Sequence, residues 1–312
     1  MRLGLDIYGG DFAPECTILG AIEARKEISE EIDIVLFGDR KSIMKRVEAE
    51  GVDPYLFNYI HTTASIEMAD HPAKAFKSKP NSSISLGFSL LKKGEIDVFA
   101  SAGNSGAMLV GAMLTVRATE GVIRPSITSG IPRPDGKMTI VLDVGINVDC
   151  KPDVLYQFGI LGSVYARRVY GVEAPKVGLL NIGEEEKKGN ITVQAAYSLM
   201  KESTDFNFIG NVEGRDLFSS DVDVIVCDGF TGNVVLKEAE AFYSLIKKQG
   251  IENEFFDRFN YEKYGGTPIL GVNGNVIIGH GISSPLAIKN MLKLSLEVAQ
   301  AKLSENIKIA FQ

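Results

Sequence analysis

Short apolar runs alternate with longer stretches in which apolar residues return every third or fourth position, almost from one end of the chain to the other. The runs predict strands at 3–7, 34–37, 96–100, 177–181, 206–209, 222–226 and 276–278. The periodic stretches predict helices at 14–28, through 47, from 82 to 93, at 105–117, 152–168, 192–200, 233–247 and 285–304. Asn81 or Ser82 can cap the helix that stops at Gly94. The segment SITSGIPRPDGKMTIVLDV alternates on both sides of Pro134-Asp135-Gly136 and predicts a β-hairpin turning there. Strand–helix alternation implies an α/β protein, a three-layer, doubly wound, largely parallel sheet. The hairpin and short pieces near 210–220 and 265–275 make that sheet mixed. No stretch has linker composition, so residues 1–312 read as a single two-lobed α/β catalytic unit. The irregular stretch 237–263 reads as a protruding helical segment.

Composition narrows the class. The chain has 312 residues, 45% hydrophobic and 23% charged, ordinary values for a soluble globular protein. No uninterrupted apolar stretch reaches the roughly 18 residues of a membrane span, and MRLGLDIYGGD reads as a strand, not as a signal peptide. Cys16, Cys150 and Cys227 stand far apart with no CxxC, which points to a reducing cytosol without disulfides or a thiolate zinc site. A formal charge of −7 argues against nucleic acid. The charge is uneven: residues 71–134 hold eight Lys or Arg (Lys74, Lys77, Lys79, Lys92, Lys93, Arg117, Arg124, Arg133) against three acids. Such a stretch either draws an anionic ligand or acidic partner, or is a solvated face.

Open α/β sheets bind ligands outside the carboxyl ends of their strands. Those positions are rich here in Gly, Asn and Asp: DIYGGD (6–11), SAGNSG (101–106), LDVGINVD (142–149), LNIGEEEKKGN (180–190), GNVEGRD (210–216), CDGFTGN (227–233) and GHGISS (279–284). Several such loops at strand exits look like the floor of one cleft. SAGNSG reads as an anion seat, with Ser101, Gly103, Ser105 and Gly106 leaving backbone N–H groups open at a helix start. It is neither a nucleoside triphosphate loop nor a dinucleotide fingerprint. In CDGFTGN, Thr231 either caps the helix or bonds a phosphate oxygen beside Gly232, and Asp228 is a turn acid or a site residue. Lys188, beside Gly189-Asn190, is a solvated loop lysine or a phosphate cation. His280 is a proton donor near neutral pH or a packed loop histidine. Asp143 and Asp149 with Asn147 can hold a divalent cation, but tying loops together by accepting N–H bonds is the preferred use, so no metal and no cofactor is expected. No motif supports a Cys–His nucleophile.

Taken together and in order, DIYGGDFAPE, IDVFASAGNSGAML, RPSITSGIPRPDGK, LDVGINVDCKPDVLYQFGILGSVYA, VGLLNIGEEEKKGN, GNVEGRD, VIVCDGFTGNVVLK, YGGTPILGVNG and VIIGHG…AIKN resemble the phosphate acyltransferases of bacterial phospholipid synthesis (the PlsX family). Nine blocks over nearly the whole chain carry the resemblance. It implies a fold related to phosphotransacetylases and isopropylmalate-type dehydrogenases. It also implies transfer of a long-chain acyl group from acyl carrier protein to inorganic phosphate, a homodimer, and delivery of acyl phosphate to a membrane glycerol-3-phosphate acyltransferase. Placement is then cytoplasmic, with peripheral contact at the inner face of the membrane left open. The chain departs from the family pattern at Asn104-Ser105, where Asn-Thr is usual, at Gly281-Ile282-Ser283, where Gly-Ser-Ser is more common, and in a shorter, less basic 237–263 segment.

For that reaction the expectation is that backbone amides at Gly103–Gly106, with Thr231 and Lys188, seat phosphate. Asn104, Asn147 or Asn233 would face the carbonyl oxygen, and His280 would assist the departing thiol. Asp143, Asn190, Asp228 and Gly232 complete the expected binding set, and the basic stretch 71–134 is the expected dock for acidic acyl carrier protein. Three rivals stand beside this reading: a phosphotransacetylase using coenzyme A, a decarboxylating dehydrogenase, and a non-catalytic scaffold.

Overall fold

The computed structural model describes residues 1–219 and 221–312. Its strands are β1 (Arg2–Asp6), β2 (Asp33–Gly38), β3 (Asn58–His61), β4 (Val98–Ser101), β5 (Ser126–Pro132), β6 (Met138–Leu142), β7 (Lys176–Leu180), β8 (Asn207–Val212), β9 (Val224–Val226), β10 (Thr267–Leu270) and β11 (Asn275–Ile278). The chain forms two compact units, Met1–Ala118 with Tyr261–Ser304, and Thr119–Asn260 with Glu305–Gln312.

In the first unit the strands lie in the order β3-β2-β1-β4-β11-β10. All neighbours are parallel except β10, which runs antiparallel to β11. Parallel strands buried on both faces read as continuous apolar runs, and Leu3, Leu5, Val35, Leu36, Val98 and Phe99 are fully buried. Helices Glu15–Glu27 and Pro285–Gln300 pack so closely that a Cβ at Gly20 would lie 2.4 Å from Ile288 Cβ.

In the second unit the order is β5-β6-β9-β7-β8. The β5–β6 hairpin is antiparallel, its partners running from Thr128–Leu142 to Pro132–Met138, and β6, β9, β7 and β8 are parallel. Ile131, Val141, Val144, Val212, Leu217, Val222 and Ile225 form a core in this unit. Arg133 is fully buried beside the hairpin turn, ion-paired with Asp135 at 3.2 Å and Asp223 at 3.1 Å, and donating to Val222 O at 2.7 Å.

The α/β architecture, largely parallel and mixed, is the one expected, with differences of detail. Ser82 caps helix Ser83–Lys93, and Gly94 ends it at φ +70°. The helix expected at 105–117 is α-helical only over Ser105–Gly111 and continues as a π-helical turn, Ala112–Val116, with Arg117 at φ 68°. The closing helix breaks at Lys302, φ 48°, into Pro285–Gln300 and Leu303–Ala310. Residues 237–248 of the 237–263 segment belong to a 20-residue helix, Gly229–Lys248, followed by Glu254–Asp257. Among the described residues no helix is long and apolar enough to cross a membrane.

Candidate functional site

Parallel pairing sends the exits of β1, β4 and β11 to one edge of the first unit, which is why three of the glycine-rich loops meet there. Asp6, the last residue of β1, is buried; its Oδ2 accepts from Ser101 Oγ at 2.7 Å and its Oδ1 from Tyr8 N–H at 3.0 Å. Ser101 Oγ in turn accepts from Gly103 N–H at 2.9 Å. A Cβ on Gly9 would fall 2.6 Å from Ser101 Oγ and 2.7 Å from Gly103 N. The backbone that the SAGNSG loop admits is therefore that of Gly9. The third loop joins through Asp11 N–H, which donates to Gly281 O at 2.7 Å, and Gly279 N–H, which donates to Ser101 O at 2.9 Å. Burial raises the Asp6 carboxyl above its ordinary value, against the pull of the hydrogen bonds it accepts.

Asn104 lies in this cluster but has a different job from the one expected. Its Oδ1 accepts from Ala107 N–H at 2.9 Å, capping helix Ser105–Gly111, while its amide N–H₂ faces the carbonyls of Glu67, Met68 and Asp70 at 3.1, 3.2 and 2.9 Å. With both amide hydrogens committed to protein carbonyls, it has none left for a thioester oxygen. Gly103 has likewise committed its N–H to Ser101. Gly106 is small because Pro72 Cγ sits 2.5 Å from where its Cβ would be. Ser105 is exposed at the first helical position. The His280 ring meets that of Tyr261 at a 56° tilt, centroids 4.7 Å apart, and its carbonyl accepts from Ser283 Oγ at 2.6 Å.

In the second unit β6, β9, β7 and β8 release their loops along the carboxyl edge in that order. Asp143, fully buried, repeats the role of Asp6: its Oδ2 accepts from Asn147 N–H at 2.5 Å and from Asn147 Nδ2 at 2.8 Å, and its Oδ1 from Ile127 N–H at 3.2 Å. Asn147 gives its other amide hydrogen to Pro125 O at 2.8 Å, so it too is a loop brace and not an oxyanion donor. Burial raises the Asp143 carboxyl, opposed by these hydrogen bonds.

The neighbouring CDGFTGN loop docks on that brace. Gly229 N–H donates to Asn147 O at 2.7 Å. A Cβ on Gly232 would lie 2.0 Å from Asp143 O. Asp228 caps helix Gly229–Lys248, its Oδ1 accepting from Thr231 N–H at 2.8 Å and its Oδ2 from Thr231 Oγ1 at 2.9 Å. The cap is thus Asp228 and not Thr231, which lies in the first turn and donates to it through both N–H and hydroxyl, its hydroxyl lone pairs still able to accept. Asn233 differs from the other asparagines: it is exposed, and its Nδ2 makes one long contact, 3.4 Å to Val144 O.

The β7 and β8 exits form a pair. Asn181 N–H donates to Val212 O at 2.8 Å and Asn211 Nδ2 to Glu185 O at 3.0 Å. Lys188 is exposed, its Nζ 4.0 Å from Glu185 Oε2, and Asn190 caps helix Ile191–Lys201 by accepting from Val193 N–H at 2.9 Å. Cys150 and Cys227 lie near the Asp143 brace. Burial pushes the Cys150 thiol up to about 12 and raises the Cys227 thiol well above its ordinary value, so neither supplies a thiolate near neutral pH. Among the described residues no group of three or more His, Cys, Asp or Glu side chains is placed to hold a metal ion.

Sequence reasoning passed over Asp6 and Gly9. The available signal was a shared pattern, an apolar strand ending in Asp and followed by glycine, at both Asp6 and Asp143. The basic stretch also divides: Arg133 is buried and paired, and Lys79 donates to Asp70 Oδ2 at 2.6 Å and Ser65 O at 2.9 Å. Neither is available to a partner.

Residues 1–306 match a family model described as "Fatty acid synthesis protein". The chain is 41% identical to a phosphate acyltransferase of Dictyoglomus turgidum, over 98% of this chain and 96% of the relative. It is 40% identical to one of Pelotomaculum thermopropionicum, over 100% and 95%. Among solved structures it is similar to a phosphotransacetylase from Streptococcus pyogenes, with a TM-score of 0.68, 15% identity and coverage of 97% and 94%. A branched-chain phosphotransacylase from Enterococcus faecalis gives a TM-score of 0.64 at 14% identity, over 96% and 99%.

Proposed function

Because the chain belongs to the phosphate acyltransferase family, we propose that it moves a long-chain fatty acyl group from acyl carrier protein to inorganic phosphate, reversibly, giving acyl phosphate for phospholipid synthesis. The observation that carries this reading is the 41% identity maintained over 98% of the chain. A phosphate oxygen attacks the thioester carbonyl carbon; the C–O bond forms, the C–S bond breaks, and the thiolate leaves and takes up a proton. Phosphate is already nucleophilic near neutral pH, so the protein's task is to hold it in line and to stabilise the oxyanion. The two high-pKa cysteines agree with a mechanism that needs no enzyme nucleophile.

We assign phosphate to the carboxyl edge of the second unit, where Lys188, Asn190 and Asn233 supply the donors; the amides of Gly229, Thr231 and Gly232 at the start of helix Gly229–Lys248 are held by Asn147 O and Asp228, so that helix adds only its partial positive charge, offset in part by the Asp228 carboxylate. Exposed Lys188 adds a mobile cation, and Asn233, with its weakly engaged amide, faces the carbonyl oxygen. Asn190 keeps its amide hydrogens for a phosphate oxygen. In this reading the enzyme acts in the cytoplasm as a homodimer and hands the mixed anhydride to a membrane glycerol-3-phosphate acyltransferase.

Steady-state kinetics with acyl carrier protein and coenzyme A thioesters compared as donors test the proposal. Asn233→Ala should lower kcat about 10²–10³-fold, the usual effect of losing one oxyanion donor. Lys188→Ala should raise the KM for phosphate. Unchanged constants in both variants would remove this edge as the site, and turnover with coenzyme A thioesters alone would replace the donor. His280→Ala and Ser105→Ala, measured alongside, report whether the first unit's loops contribute to either constant.

A further inference from the structure

Three helices of the first unit share one small core. A Cβ at Gly111 would lie 2.2 Å from Phe88 Cδ2 and 2.9 Å from Phe76 Cε2, and the Phe76 and Phe88 rings meet edge-on at 6.2 Å. Pro72 lies against Gly106 as Phe76 lies against Gly111, so helix Pro72–Ser78 and helix Ser105–Gly111 run side by side in the same direction. Their outward sides combine charge with apolar area. Lys74 and Lys77, three residues apart, are exposed on the first helix. Met113 and Leu114, 44% and 68% exposed, follow on the π-helical turn, and exposed Arg117 ends it. Met68, 43% exposed, sits on the loop that Asn104 ties down. Among the described residues no acid pairs with Lys74, Lys77 or Arg117, although the chain as a whole is at −7. A basic surface in an acidic protein favours an acidic partner, and the exposed Leu and Met offer that partner an apolar contact.

We infer that this face is the dock of an acidic, helical carrier domain bearing the thioester, an inference that rests on the proposed acyl carrier protein donor. Lys74, Lys77 and Arg117 meet its carboxylates, and Met113 and Leu114 pack against its apolar side. Helix Ser105–Gly111 begins at the exit of β4, so a carrier bound here lies beside the first unit's loop cluster. Lys79 and Arg133 take no part, since both are spent on internal acids and carbonyls.

The test measures binding of acyl carrier protein by fluorescence anisotropy at low and high salt, together with turnover of carrier and coenzyme A thioesters. For Lys74→Glu/Lys77→Glu we expect binding about tenfold weaker at low salt, a matching rise in KM for the carrier donor, and unchanged kinetics with the coenzyme A thioester. Leu114→Ser should weaken binding while leaving its salt dependence as it was. Equal binding by wild type and the double variant would overturn the surface while the carrier stands as donor. Wild type that neither binds nor turns over the carrier thioester would overturn the donor, and the dock with it.

Discussion

Gly232→Ala separates two reasons for a glycine in the CDGFTGN loop. Its added Cβ would lie 2.0 Å from the Asp143 carbonyl oxygen and 3.0 Å from Cys227 Sγ. An ordinary carbon–oxygen contact is about 3.3 Å, so the start of helix Gly229–Lys248 would have to move by about 1.3 Å. The obstacle is backbone in a buried brace and not the end of a flexible side chain, which puts the cost near the top of the overpacking range, about 3 kcal/mol. Alanine's better helix propensity returns about 1 kcal/mol. The net loss of about 2 kcal/mol corresponds to a Tm lower by about 4–8 °C. A displacement of this size next to Asn233 should also lower kcat about 10²-fold. Circular dichroism melts and steady-state kinetics read both effects. Gly214→Ala is the control: its Cβ would meet open space, and it should leave Tm nearly unchanged. Were Gly232 small only to admit a ligand, propensity alone would act, and Tm would rise while the KM for phosphate worsened. A Tm equal to or above wild type refutes the packing account.

Asn104→Ala and Asn147→Ala should behave as stability variants, losing about 1–3 kcal/mol through orphaned buried carbonyls and amides; denaturant midpoints that fail to move while kcat collapses would restore them to catalysis. Glu27, bonded by Lys289 and Lys293, is held at about 2 against an ordinary 4.5. A depressed carboxylate stabilises the fold above its unfolded value and loses that contribution as pH falls, so the stability gap between wild type and Glu27→Gln should close between pH 4.5 and about 2 in urea titrations. Cys150→Ala and Cys227→Ala should retain turnover, and iodoacetamide at neutral pH should leave both thiols largely unmodified; rapid alkylation with loss of activity would contradict the neutral-thiol reading.

The elements with strong periodicity or explicit turn chemistry were legible in the residues: the hairpin at Pro134-Asp135-Gly136, the cap at Ser82 and the stop at Gly94. Weakly patterned ones were not. Strand β3 has no buried position, and helix Pro72–Ser78 buries Ala75 alone, so neither shows a period. The return of Tyr261–Ser304 to the first unit depends on contacts far apart in sequence.

At the loops the residue types are legible in the sequence and their hydrogen-bond partners are not. An asparagine after glycine is the same in sequence whether its amide meets solvent, as at Asn233, or protein, as at Asn104 and Asn147. The difference lies in the carbonyls of Glu67, Met68, Asp70 and Pro125, which no local pattern brings near. Glycine was similarly ambiguous between ligand approach and chain approach, and at Gly103 and Gly232 the neighbouring chain decides.

In the proposed reaction the acyl group passes directly to phosphate. Purified protein incubated with long-chain acyl carrier protein and phosphate labelled with ¹⁸O at every oxygen should yield acyl phosphate retaining all the label, in step with release of free carrier thiol, and no thiol release when phosphate is omitted. Thiol release that proceeds without phosphate and yields only free fatty acid would contradict it.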